Sequence, residues 1–127
     1  MSYTSAVSHC GNDHLQWVKN IDFYKDDLKV LTMRLEEIVK KNSKQDVLAE
    51  AAHFQNQFII QRDNIDQLRH TISHHSDKVA IDSKDHAGKI KTILVIEHED
   101  VQKKMDELES QFQNTRKEFN KFLSKWM

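Results

Sequence analysis

The chain has 127 residues, about one domain's worth, of which 38% are hydrophobic and 31% charged, with no proline and two glycines. So few turn formers exclude a many-stranded sandwich, barrel or doubly wound sheet. Leu, Ile, Val and Phe make up about a quarter of the residues, above the roughly 20% below which disorder is expected, and 19 basic against 20 acidic residues lack the basic excess of a nucleic-acid binder.

Residues 1–11 are expected to form a flexible N-terminal arm ahead of one helical-bundle domain over 12–127. The opening MSYTSAVSHCGND has neither the basic nor the apolar region of a signal peptide. Cys10 is the single cysteine, which excludes an intrachain disulfide and fits a reducing, cytoplasmic setting. The longest apolar stretch, Ile93 to Ile96, is four residues against about 20 for a membrane span, so no membrane partner is expected.

The first helix is predicted over 13–41. Its inward positions step by threes and fours through His14, Trp17, Ile21, Tyr24, Leu28, Leu31, Leu35 and Ile38. Asn12 or Asp13 suits its N-cap, and Lys40 and Lys41 suit the negative end of the helix dipole. Asn42-Ser43 ends it, and Ser43 with Asp46 resembles a capping pair for the next helix. The second helix is predicted over 45–78, with Val47, Ala51, Phe54, Phe58, Gln61, Ile65, Leu68, Ile72, His75 and Val79 inward. Ser76-Asp77 or Asp82-Ser83 stops it, and Ser83 caps the third. That helix is predicted over 84–126, with Ala87, Leu94, His98, Val101, Met105, Leu108, Phe112, Thr115, Phe119, Phe122 and Trp126 inward. Two short connections then give an all-α fold, an up-down-up antiparallel bundle of three long helices, open to completion by dimerisation. In architecture alone, this form with Trp17 in the first helix is similar to spectrin-like repeats.

Turns centred near 43.5 and 82–83 set the expected register. His14 lies level with residue 73 and His75 with about residue 90. Six of the eight histidines, His9, His14, His70, His74, His75 and His86, then gather towards one end, where His14 and His75 point inward and His74 and His86 stand close by. Neutral imidazole offers a lone pair to zinc, copper, nickel or iron, so His14, His75, His74 and His86 are candidate metal ligands, with zinc as the representative ion. Glu50-Ala51-Ala52-His53 spells the Glu-x-x-His of di-iron bundles, but Glu50 and His53 flank the inward stripe and no second copy of the motif exists. The same register puts His98 level with about residues 67 and 20. There His98, Gln61 and Tyr24 would form a buried polar set that fixes helix alignment.

No Gly-rich phosphate loop, Gly-x-Ser-x-Gly or Cys with a partner base occurs, so no catalytic residue and no organic cofactor is assigned. The expected function is a non-enzymatic interaction or scaffold protein working through protein–protein contacts. Residue 45 would lie level with about residue 120, leaving the end of helix 3 to overhang. Phe119, Phe122 and Trp126 are therefore the candidate interface, for another protein or for a second copy in a homodimer. The alternative is a metal-binding bundle that uses the histidine-rich end.

Overall fold

The computed structural model describes residues 3–85 and 92–126, with side chains from Asn12 onward except at 83 and 85. It is all-helical: α1 spans Tyr3–Lys41, α2 Gln45–Asp85 and α3 Thr92–Trp126, and the three pack together. At 41 residues, α2 is about 60 Å long. Among the described residues, no helix is long and apolar enough to cross a membrane.

The inward stripes hold throughout the described residues. Ile21, Val47, Ile65 and Phe119 are fully enclosed, and every other stripe member is buried except Trp126, which is partly so. The helix ends differ from expectation. α1 begins at Tyr3, so the backbone of residues 3–11 continues the helix and Asn12 and Asp13 are interior positions. One Gly in a helix costs only about 1 kcal/mol, which Gly11 does not turn into a stop. Between α1 and α2, Asn42 Nδ2 donates to Ile38 O at 2.9 Å, closing the end of α1. Leu48 N donates to Lys44 O at 3.1 Å, so Lys44 takes the capping position in place of Ser43.

The larger correction is at the second connection. Neither Ser76-Asp77 nor Asp82-Ser83 stops α2, because the buried stripe continues through Val79 and Asp82 and no proline or glycine intervenes before Gly88. Ser83 lies inside α2, so it does not cap α3, and α3 is described from Thr92, not 84. Residues 86–91 lie outside the described residues, and with them His86 and Ala87.

Moving this connection slides α3 along α2. Phe58 meets Phe119 edge to face with ring centroids 5.1 Å apart, and Phe54 packs against Phe122 at 5.1 Å. Trp126 Nε1 donates to Glu50 Oε2 at 3.3 Å, and Lys125 pairs with the same carboxylate at 3.6 Å. The end of α3 therefore lies alongside the start of α2 and does not overhang. Phe119 and Phe122 are 0% and 4% exposed, so the apolar surface assigned to an interface is already covered within the chain.

The slide also separates the expected polar set. Gln61 Nε2 donates to Thr115 Oγ1, while Tyr24 stacks on Phe112 at 4.8 Å. Burial, reinforced by Glu109, holds the Tyr24 phenol above its usual pKa. Thr115→Val alone is expected to cost about 1–2 kcal/mol, because the buried Gln61 amide loses its acceptor. Gln61→Leu with Thr115→Val should restore near-parental stability in urea, since Gln61 Oε1 already lacks a partner. Equal losses in the single and double variants would contradict the pairing.

Candidate metal centre

At the opposite end of the core from the phenylalanines, each helix contributes one inward histidine. His14 comes from α1, His75 from α2 and His98 from α3, and they are 7%, 3% and 8% exposed. Their ring centroids stand 5.0 to 5.4 Å apart. One ring nitrogen from each lies within 4.8 Å of the other two. The ring of Trp17 covers one side, 4.6 Å from His98 and 5.4 Å from His14, and its Nε1 donates to Gln102 Oε1 at 3.0 Å.

Hydrogen bonds select the tautomers. His75 Nε2 is 2.9 Å from the carbonyl oxygen of Leu94. A carbonyl only accepts, so Nε2 carries the proton and Nδ1 of the neutral ring is bare. His14 Nε2 lies 2.9 Å from that nitrogen and donates to it. His98 Nε2 donates to Asp13 Oδ2 at 2.7 Å, so in the neutral ring the lone pair is on Nδ1, an atom that is buried and without a partner. An orphaned buried acceptor is uncommon and calls for an explanation.

Electrostatics keep His14 neutral. Burial above all, then His75 and His98, draws its pKa down from 6.5 to about 4, with Asp13 opposing. Neutral imidazole is the metal-binding form. Metal-binding histidines also characteristically donate their other ring N–H to a carboxylate or a backbone carbonyl, as His98 does to Asp13 and His75 to Leu94. Zinc–nitrogen bonds of about 2.0–2.1 Å set two ligand nitrogens about 3.3 Å apart, so an ion between the three rings would open the His14–His75 pair slightly from its 2.9 Å. His14 would pass its Nε2 proton to Nδ1.

Of the candidate ligands read from sequence, the structure brings His14 and His75 together. His74 is on the exposed face of α2, with its ring against His70 and not in the cluster. His86 lies outside the described residues. The third member is His98, which the sequence register had placed about two turns away from His75, in a polar set with Gln61 and Tyr24. The available signal was that each inward stripe carries an imidazole near this end. Glu50 bonds Trp126 and Lys125, and His53 is exposed, so the Glu-x-x-His spelling builds no internal site. Comparison with protein-family models, curated proteins and solved structures returns no match for this chain.

Proposed function

We propose that the protein is a transition-metal-binding helical bundle that holds zinc, or an ion of similar preference, through His14, His75 and His98. The carrying observation is the convergence of three buried imidazoles from three helices, one with an unpartnered lone pair. Imidazole suits zinc, copper, nickel and iron, and three such ligands leave a fourth position for water or an added ligand. The reading includes an up-down-up antiparallel course. Its support is that residue numbers fall on α2 as they rise on α1, from His14 with His75 to Lys25 with Asp66. A cytoplasmic setting belongs to the same proposal, supported by the single cysteine.

The test is titration of chelator-treated, untagged protein with Co2+, whose visible absorption is intense only in a four-coordinate site, followed by competition with Zn2+. One intensely absorbing ion per chain is expected. His98→Ala should abolish the band. Asp13→Asn, which keeps the ligands but weakens the support of His98, should lower affinity about 10–100-fold. A parent chain with no intense band, or a band unchanged in His98→Ala, would overturn the proposal.

A second reading, that the chain works through protein contacts, finds support on a different surface from α3. A groove of about 440 Å³ between α1 and α2 is lined by Leu28, Phe58 and the exposed Met33 and Ile59, with Lys25, Lys29 and Arg62 also lining it. Such a surface suits an apolar segment with acidic flanks, or a second copy of this chain. Sedimentation of the parent against Met33→Asp/Ile59→Asp distinguishes self-association from a monomer.

A further inference from the structure

The two histidines on the outer face of α2 have no part in the buried cluster, yet they line the same groove as its α2 member, His75. His70 and His74 are one helical turn apart, so their rings leave the same face. Their centroids are 6.5 Å apart and their planes within 14° of parallel. Imidazoles at i and i+4 of a helix can turn to hold one ion as a bidentate chelate, as on the zinc-binding helices of metalloproteases. A groove of about 340 Å³ between α2 and α3 is lined by His70 and His74 and also by His75, the α2 member of the cluster. His74 and His75 are consecutive, one exposed and one buried. Glu97 and Asp100 supply carboxylates to the same groove and offset Lys78 and Lys104, Lys78 through an ion pair of 3.7 Å.

We infer that His70 and His74 form a second, exposed site for a divalent transition-metal ion, which docks there before passing along the groove to His75 and the buried cluster. The loading role rests on the function proposed above. Its physical basis is effective concentration: the three rings are buried, and an ion held in the groove that His75 also lines is close by whenever that burial relaxes. The ion exchanges water for two imidazoles, then two imidazoles for three, with no change of oxidation state.

The experiment mixes the full chain with Co2+ alone in a stopped-flow spectrometer and counts bound ions by equilibrium dialysis. The parent should bind two ions, one of which develops the intense four-coordinate band. His70→Ala/His74→Ala changes only exposed positions and should bind one ion, with the final band intact and its rate of appearance lowered at least tenfold at low micromolar Co2+. His53→Ala, at an exposed histidine elsewhere on α2, should behave as the parent. Unchanged stoichiometry and rate in the double variant would overturn the inference while leaving the buried site standing. A parent that binds one weakly absorbing ion, lost in His70→Ala/His74→Ala, would overturn the loading role together with the proposed function.

Discussion

Phe119→Ala is expected to destabilise the protein by about 3–5 kcal/mol, the range for truncating an enclosed phenylalanine. Phe119 is 0% exposed, and its ring lies 5.2 Å from Phe54, 5.1 Å from Phe58 and 5.8 Å from Phe122. Truncation leaves a cavity bounded by α2 and α3 and removes three aromatic contacts at once. Domains of this size are commonly stable by only about 5–15 kcal/mol, so the variant should unfold at a much lower urea concentration, with an unchanged slope. Phe23→Ala is the matched control, because Phe23 is 56% exposed and its loss should cost less than about 1 kcal/mol. A loss below about 1 kcal/mol at Phe119 would mean that the end of α3 projects from the bundle, the arrangement its apolar stripe first suggests. Phe122→Asp should likewise unfold the chain, because it would bury an unpaired carboxylate among Phe54 and Phe119.

Acid is the second strong perturbation. Metal-free protein should lose about 2 kcal/mol as pH falls from 7 to 4, through His14. Its folded-state pKa is about 4 against 6.5 in the open chain, with burial as the leading cause. Between those values the unfolded chain binds the proton and the folded chain does not, so stability falls as pH drops and levels off below about 4. The full shift corresponds to roughly 3 kcal/mol at 1.36 kcal/mol per unit, and solvent around the ring reduces it. His14→Leu/His75→Leu removes both partners of one buried hydrogen bond, so it should be nearly neutral at pH 7.5 and should flatten the acid limb. An acid limb as steep as the parent's in the double variant would reject the His14–His75 pairing. Zinc should steepen the loss in the parent, because protons and metal compete for the same lone pairs.

The sequence by itself determined which face of each helix turns inward. That information is local: apolar residues recurring every three or four positions mark a stripe whatever the stripe packs against. Hence Leu31, Ile65 and Val101 are buried as the stripes require, and so are the polar intrusions His14, Gln61, His75, His98 and Thr115. Tertiary structure alone decided how far the helices slide past one another. Level partners on adjoining helices depend on where the chain reverses, and each residue of displacement in the turn moves a partner by two. No proline or glycine marks the end of α2 before Gly88, and serine and aspartate at 76–77 and 82–83 are tolerated inside a helix whose buried stripe continues. Displacing that connection moved α3 about three turns along α2. It covered Phe119 and Phe122 and carried His98 away from Gln61 and Tyr24. The chemistry of the site therefore came from register: an imidazole's position on its own helix is written in the local period, but its neighbours are set by packing between helices.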